Sequence, residues 1–468
     1  MLFPTVTFAV FFLAVLPLSW LLMPRPRLWQ PFMLTASFVF YAWWDWRFVF
    51  LLATSIAGNW LAGQGIASGR RPRLWLAGAV ALDLGLLGYF KYAGFLVSSV
   101  ENGLAALGIP ASSSLLSVAL PVGISFYTFM ALSYVVDIHR GTLAPAPFLR
   151  FAVWLSFFPH LVAGPIVRGS ELLPQLERPR DPRDVDVTRA FFLIVSGLFL
   201  KVVIANHLAT HLVDDVFASP NSHSSLEVLA GVYGYAVEIF ADFCGYTNIA
   251  IGIALLLGFR FPQNFDSPYA AVSLQDFWRR WHITLSRWLR DYLYIPLGGN
   301  RKGKLLTYRN LLLTMLLGGL WHGAAWTFVA WGGLHGAGLA VERLWRDLRR
   351  SEPRDTPWRR WLGRVVTFHV VCLGWIFFRA PSFGTARQVI VRLFDAWGQA
   401  SPLVTSSVVL AIVAGIAIQY LPLGSVGALG RGFARLPLPA QAATLGICLA
   451  LIQTLGPAGV APFIYFRF

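Results

Sequence analysis

Charged residues are scarce in this chain. Only 13% of its 468 residues are Asp, Glu, Lys or Arg, whereas 56% are hydrophobic, and the mean hydropathy is +0.61. A soluble globular protein carries about 25% charged residues. The composition therefore excludes a soluble protein and predicts an integral membrane protein.

Cysteine is also rare, and several familiar catalytic motifs are missing. The three cysteines, Cys244, Cys372 and Cys448, have neither paired nor metal-type spacing and predict neither a disulfide framework nor a zinc site. The chain has no G-x-S-x-G nucleophile elbow and no phosphate-binding glycine loop with a lysine. We expect no metal site and no tightly bound cofactor.

Long apolar runs separated by short polar turns make up most of the chain. Because a membrane-spanning helix needs about 20 apolar residues, we expect an all-α polytopic protein with roughly eleven to thirteen transmembrane or re-entrant helices. The pattern predicts one membrane-embedded domain over residues 1–468. It has N-terminal helices in residues 1–100, a core in residues 115–380 and C-terminal helices in residues 400–468.

Basic residues exceed acidic ones and give a formal net charge of +16. A basic protein can bind nucleic acid, but here the arginines lie in short turns between apolar runs, as at Arg25, Arg27, Arg70 and Arg71. Basic residues gather in cytoplasmic turns of membrane proteins. We expect lipid and not nucleic acid around this chain, with both turns cytoplasmic and the N-terminus outside.

Residues 277–292 combine tryptophan, arginine and one histidine. Large apolar side chains recur there at three- and four-residue spacing, and the arginines fall largely elsewhere around the helix, which predicts an amphipathic interfacial helix. Its arginines either meet anionic lipid or hold a phosphorylated donor. His282 is expected inside this helix, one turn before Ser286, where it either donates to a ligand or joins a polar network.

His322 lies in the middle of an apolar run, at residues 311–341. An ionisable side chain inside a membrane is costly unless it has a partner and marks a functional site by default; the alternative is a histidine that ties two helices together. A neutral imidazole suits a general base that deprotonates a hydroxyl. His335 follows thirteen residues later, about 20 Å along a continuous helix. We therefore expect only His322 at the reaction centre.

Glu238 and Asp242 are four residues apart, which places both carboxylates on one face of a helix. The pair suits either a proton or cation site of a transporter or a structural role between helices. We favour the structural or cavity-lining role, because the chain has no second acidic pair and no inverted internal repeat.

Several segments resemble the membrane-bound O-acyltransferase family. They are LPVGISFYTF, FFPHLVAGPIVR, DFCGYTNIAIG, LLGFRFPQNFDSPY, FWRRWHITLSRWLRDYLYIPLGGNR and GGLWHGAAWTFVAWGGLHG. The resemblance extends over about residues 1–379 and is most specific between Asp242 and Gly336. The branch that contains the membrane subunit of alginate O-acetylation looks nearest, and the D-alanyl transfer protein of teichoic acids is more distant.

The resemblance implies a many-helix fold around a funnel through the bacterial inner membrane. His322 matches the family's invariant catalytic histidine, and His282 matches its second, polar site position. In this family an acyl group comes from a cytoplasmic thioester, here expected to be acetyl-CoA, and ends on a hydroxyl of an exported glycan, usually through an extracytoplasmic partner. The candidates for substrate or donor binding in the matched motifs are Arg279, Trp281, Arg287, Asn300 and Trp321.

The sequence thus predicts an O-acyltransferase with two histidines at its centre. His322 is expected to act as a general base or proton shuttle, and His282 to orient or stabilise at the cavity wall; direct attack by His322 to form an acyl-imidazole stays open. The alternatives are a transporter or flippase, for which Glu238 and Asp242 are the only coupled pair, and a scaffold that recruits an extracytoplasmic enzyme.

Overall fold

The structure is a computed structural model that describes residues 1–109, 119–349, 355–421, 430–456 and 463–464. Helices and turns make up these residues, and no strand occurs among them. Five helical segments are long and apolar enough to cross a membrane: Arg47–Ala67, Pro72–Ala106, Val187–Ala218, Ser225–Leu256 and Pro357–Arg379. This confirms an all-α polytopic membrane protein. The larger predicted number of crossing or re-entrant segments, and the funnel, stay predictions.

Contacts divide the chain into two compact units. Unit 1 comprises Met1–Val185 and Ala254–Pro262, and unit 2 comprises Asp186–Ile253 and Gln263–Phe468. The single domain expected over residues 1–468 stays a prediction. Parts of its expected core and C-terminal segments lie outside the described residues.

Unit 1 is built from short and medium helices joined by tight turns. They are α1 (Val6–Leu22), α2 (Pro26–Ala42), α3 (Arg47–Ala67), α4 (Pro72–Leu87), α5 (Ala93–Ala106), α6 (Ile124–His139), α7 (Phe148–Ser156), α8 (Phe158–Leu161) and α9 (Gly169–Glu177). Gly123 precedes α6 with a positive φ of 79°, and a Cβ there would lie 2.5 Å from the carbonyl oxygen of Leu161. Only glycine fits this break in the apolar run.

Unit 2 contains the remaining helices. They are α10 (Val187–Leu198), α11 (Asn206–Leu208), α12 (Asp214–Ala218), α13 (Ser225–Leu256, whose last three residues belong to unit 1), α14 (Leu274–Arg280), α15 (Ile283–Leu289), α16 (Lys304–His322), α17 (Trp326–Leu348), α18 (Pro357–Arg379), α19 (Phe383–Asp395), α20 (Ser406–Ala417) and α21 (Leu438–Leu455). Wider π-helical turns follow α10, α11 and α15. Such turns are rare and are frequent at functional sites.

Helices α10 and α13 pack closely through glycine. A Cβ at Gly197 would lie 2.5 Å from the carbonyl oxygen of Gly245, and one at Gly252 would lie 2.8 Å from that of Ala190. These pairings make the two helices antiparallel. The π-helical turn Phe199–Ala205, which continues α10, carries the buried Lys201 beside α13.

Helices α16 and α17 form an antiparallel hairpin. A Cβ at Gly319 would lie 2.3 Å from the carbonyl oxygen of Phe328, and one at Gly332 would lie 2.3 Å from that of Met315. The glycines let the two backbones touch, which a larger residue would prevent. The hairpin turn directly follows His322, where Gly323 has an extended conformation.

Candidate active site

His282 lies in a turn between two helices and not inside one. Helix α14 ends at Arg280, Trp281 is extended, and His282 has a left-handed conformation with φ 42° and ψ 55° before α15 begins at Ile283. The predicted continuous amphipathic helix over residues 277–292 is therefore wrong at its centre. A left-handed non-glycine residue costs about 1–2 kcal/mol, so surrounding contacts must hold it.

Asn264 supplies those contacts. Its side-chain oxygen Oδ1 accepts from the backbone N–H of Thr284 (3.2 Å), from the Thr284 hydroxyl (2.9 Å) and from Nδ1 of His282 (3.2 Å). Its backbone oxygen accepts from the N–H of Ile283 at 2.9 Å. One asparagine thus fixes both the turn and the imidazole that the turn presents.

The contact with Asn264 also decides the tautomer of His282. Because the backbone N–H of Thr284 donates to the same atom, that atom is the amide oxygen, and Nδ1 of His282 must carry the proton. Nε2 has no hydrogen-bond partner among the described residues. The turn lies outside the five membrane-spanning helices, and burial lowers the pKa of His282 to about 3. The ring is neutral near pH 7, with a lone pair on Nε2.

His322 is the last residue of α16 and is enclosed by aromatic rings. Its ring centroid lies 4.9 Å from that of Trp321, 5.1 Å from Trp331 and 5.3 Å from Phe378. The side chain is buried. His322 lies at the end of α16, beside the hairpin turn, and its ring packs against Trp331 of α17 and Phe378 of α18.

Trp321 links the two histidines. Its ring lies 6.2 Å from that of His282 and 4.9 Å from that of His322. Phe243 of α13 packs edge-on against the other side of His282 at 4.7 Å. The structure therefore brings His282, Trp321 and His322 into one buried, aromatic-walled cluster, which is the candidate active site.

His335 lies much closer to His322 than a continuous helix would allow. The two residues belong to opposite arms of the α16–α17 hairpin, and both rings contact Trp331, at 5.1 Å for His322 and 4.9 Å for His335. The expected separation of about 20 Å is wrong, because the chain turns back after His322. His335 is fully buried behind Trp331. That His322 is the central one of the pair stays a prediction.

The other predicted site residues fall into two groups. Trp281 and Trp321 are buried, and the Trp281 ring packs at 5.0 Å on both Phe265 and Trp375. Arg279 and Asn300 are exposed, and Arg287 is half-buried. The tryptophans thus belong to the aromatic walls around the cluster, whereas a role of the polar residues in donor binding stays a prediction.

Asp242 pairs with a basic residue of another helix. Its carboxylate forms a buried ion pair with Lys201 and accepts from the backbone N–H of Ile464 at 2.8 Å. Glu238 lies one turn before it on α13 and is also buried. The contacts of Asp242 fit the structural role that we favoured, and the role of Glu238 stays a prediction.

Asn264 is the residue that sequence reasoning missed. It stands in the segment LLGFRFPQNFDSPY, which carried the family resemblance, but nothing in the spacing connects position 264 with position 282. A polar side chain between two aromatic-rich segments was the only available signal. The contact depends on the loop between α13 and α14, which periodicity does not describe.

Comparison with known proteins places the chain in a family. A family model described as membrane-bound O-acyltransferase matches residues 141–382. The chain is 39% identical to the probable alginate O-acetylase AlgI of Pseudomonas putida, over 93% of this chain and 94% of that protein. It is 37% identical to the peptidoglycan O-acetyltransferase of Helicobacter pylori (78% of this chain, 73% of that protein). It is 29% identical to the teichoic acid D-alanyltransferase of Bacillus subtilis (56% of this chain, 69% of that protein). The chain therefore belongs to the membrane-bound O-acyltransferase family, and it is an O-acyltransferase.

Proposed function

We propose that this enzyme moves an acetyl group from a cytoplasmic thioester, acetyl-CoA, toward hydroxyls of an exported polysaccharide. The observation that carries the proposal is the pair of buried histidines whose rings both pack against Trp321 in a chain of this family. Relatives named as an alginate O-acetylase and a peptidoglycan O-acetyltransferase support a polysaccharide acceptor and a small acyl group. The membrane is the inner membrane of a bacterium, and an extracytoplasmic partner protein completes delivery.

The chemistry requires one proton to move twice. A hydroxyl oxygen attacks the thioester carbonyl while His322 takes the hydroxyl proton as general base. The tetrahedral intermediate then collapses, the C–S bond breaks, and the protonated His322 gives its proton to the departing thiolate. The histidine ends neutral, and the products are an ester and a thiol.

His282 is suited to orient the acceptor. Its Nδ1–H donates to Asn264, so Nε2 offers a lone pair that accepts a hydrogen bond from a second hydroxyl of the acceptor, while the reacting hydroxyl gives its single proton to His322. A neutral ring in this tautomer does not donate from Nε2. This supports an orienting role for His282 over stabilisation of the oxyanion, which needs a donor.

The aromatic walls favour acyl transfer over hydrolysis. The rings of Trp321, Trp331 and Phe378 all pack edge-on against that of His322. A site that excludes water protects a reactive thioester and strengthens the electrostatic interactions inside it. Arg279 and Asn300, both exposed, are the proposed contacts for the phosphorylated part of acetyl-CoA, together with Arg287.

The first experiment measures the O-acetyl content of exported polysaccharide. Cells carry the wild-type chain, the His322→Ala variant or no copy, and the abundance of the chain in the membrane is measured in parallel. Because a general base contributes about 10²–10⁴-fold in rate, we expect loss of acetyl in both the null strain and the variant. Trp397→Ala, an exposed aromatic outside the cluster, is the matched control and should keep wild-type acetylation.

The other outcomes separate the competing functions. Acetylation lost in the null strain but kept by His322→Ala would mean that the chain is a scaffold or conduit. A transporter predicts that charge-neutral changes at Asp242 stop movement of the polymer while acyl transfer continues. The ion pair with Lys201 opposes that role, because it balances the Asp242 charge inside the protein.

Direct acylation of His322 is a variant of the same proposal. In that case the thioester acylates the imidazole, the thiol leaves, and the hydroxyl then attacks the acyl-imidazole. Brief exposure of membranes to [¹⁴C]acetyl-CoA without acceptor, followed by peptide mass spectrometry, distinguishes the two. An acetyl group on the His322 peptide supports the covalent route, and label that persists in His322→Ala contradicts both.

A further inference from the structure

Two residues that follow α21 in sequence are buried against α13. Phe463 is 1% exposed and Ile464 is 4% exposed. Many side chains of α21 itself are exposed, among them Leu449, Leu451 and Leu455. The short segment Phe463–Ile464 is therefore more deeply buried than most of the helix before it.

A buried carboxylate holds this segment in place. The backbone N–H of Ile464 donates to Oδ2 of Asp242 at 2.8 Å, while the ion pair with Lys201 uses the other carboxylate oxygen. Hydrogen bonds to an ionised acceptor are about twice as strong as neutral ones. Asp242, one of the residues of the family-like segment DFCGYTNIAIG, thus joins Lys201 after α10 to the segment after α21.

The aromatic ring of Phe463 reaches the wall of the active site. It lies 4.6 Å from the ring of Tyr246 and 5.6 Å from that of Phe243, centroid to centroid. Phe243 in turn packs edge-on on His282 at 4.7 Å. Asn264 fixes one edge of the imidazole through Nδ1, and this row of rings supports it from the side of α13.

We propose that Phe463 and Ile464 are positioning residues of the active site, which Asp242 anchors so that Phe463 holds Phe243 against His282. The inference rests on the proposed role of His282. It gives the acidic residue Asp242 a specific task, namely to dock a distant part of its own chain beside the reaction centre. Phe463 acts through Phe243, which packs on His282, and Ile464 acts by anchoring Phe463 to Asp242.

The test measures turnover and Michaelis constant of the full chain in membrane vesicles, with [¹⁴C]acetyl-CoA as donor. Phe463→Ala removes the ring, and Ile464→Pro removes the N–H that Asp242 accepts. Because small displacements of catalytic groups lower rates steeply, we expect kcat to fall about tenfold or more while the KM for acetyl-CoA changes by less than about twofold. Phe463→Leu keeps most of the side-chain volume, and Ile464→Val keeps the backbone N–H. Both variants should therefore retain most of the wild-type turnover.

A second measurement does not depend on activity. Diethylpyrocarbonate modifies accessible imidazoles, and His282 is fully buried in the wild-type chain. Peptide mass spectrometry should find His282 protected in the wild type and in Phe394→Ala, which removes an equivalent ring at a position that is 77% exposed. Phe463→Ala and Ile464→Pro should increase its modification several-fold at equal abundance in the membrane.

The outcomes separate this inference from the proposed function. If wild-type vesicles do not use acetyl-CoA, the proposed donor is wrong, and the modification of His282 still decides the inference. If Phe463→Ala and Ile464→Pro match the wild type in both measurements, the segment does not position the site and the inference is overturned. A rise in KM alone with His282 protected would also overturn it.

Discussion

At the scale of single residues, Asn264 holds the turn at His282 in place through four hydrogen bonds. It accepts three hydrogen bonds through one side-chain oxygen and a fourth through its backbone. These bonds offset the strain of the left-handed conformation at His282. They also select the tautomer in which Nε2 is an acceptor.

Replacement of Asn264 by alanine should therefore damage both fold and activity. It leaves the Thr284 N–H, the Thr284 hydroxyl and Nδ1 of His282 without their acceptor in a buried place. Each buried donor without a partner costs about 1–3 kcal/mol, and we expect turnover to fall about 10²-fold because the imidazole is no longer held. Acetyl transfer in vesicles, normalised to folded protein by fluorescence-detected size exclusion, measures both effects.

The matched variant is Asn264→Asp, which keeps the acceptor and adds a negative charge. An adjacent carboxylate favours the protonated imidazole and raises the pKa of His282 above its wild-type value of about 3. Since the unprotonated Nε2 is the proposed acceptor, activity is present above the raised pKa and lost as the pH falls through it. The acid limb of the pH profile should move to higher pH, and an unchanged limb would contradict the role of His282.

At the scale of elements, the α16–α17 hairpin positions His322. Its two arms touch backbone to backbone at Gly319 and Gly332. This close contact brings Trp331 of α17 against His322 of α16. A packing surface made of glycines is common where helices approach closely in membranes, and here it decides which aromatic rings surround the histidine.

Two adjacent glycines provide a matched test of the hairpin. A Cβ at Gly332 would lie 2.3 Å from the carbonyl oxygen of Met315, whereas one at Gly333 would lie 3.5 Å from its nearest atom, on the Leu316 side chain. Gly332→Ala should destabilise the protein by about 1–3 kcal/mol through overpacking and lower acetyl transfer. Gly333→Ala should be neutral or stabilise by up to about 1 kcal/mol, because alanine favours the helix.

Thermal unfolding in detergent and acetyl transfer in vesicles measure the effect on the hairpin. Equal effects of the two substitutions would show that the contact at Gly332 does not hold the arms together. Activity lost in Gly332→Ala at unchanged thermal stability would instead point to displacement of Trp331 and His322 without loss of the fold.

At the scale of the whole molecule, the excess of positive charge predicts an orientation in the membrane. The basic turns at Arg25 and Arg70 are separated by two helices, α2 and α3. Helix α3 is one of the five spanning segments, and if α2 also crosses, as the sequence predicts, both turns lie on one face. The rule that cytoplasmic turns are basic predicts that this face is cytoplasmic. The turn between α2 and α3, which contains Trp46, then faces the extracytoplasmic side.

Cysteine labelling in intact cells tests this orientation. The chain has three native cysteines, of which Cys244 and Cys372 are buried, so Cys448→Ser provides a background of low reactivity. Trp46→Cys and Ser68→Cys add single cysteines at exposed positions in neighbouring turns. A membrane-impermeant maleimide should label position 46 in intact cells and position 68 only after permeabilisation. The reverse pattern would invert the predicted topology.

The sequence by itself determined the class of protein, its helical architecture and its family. Composition and the length of apolar runs are properties of neighbouring residues, and they dictate spanning helices because lipid leaves the backbone no other way to satisfy its hydrogen bonds. The motifs around His282 and His322 are likewise local, and they were sufficient for the family; the catalytic roles of the two histidines stay predictions.

Only the tertiary structure decided how the site is assembled. Local periodicity predicted an unbroken helix through His282, but hydrogen bonds donated to Asn264, eighteen residues away, stabilise a left-handed turn there. The spacing of His322 and His335 suggested separation, but the turn after His322 folds both against Trp331. Phe463 meets α13 across more than two hundred residues. Contacts between distant positions outweigh local preference because each buried polar group must find a partner wherever the chain provides one.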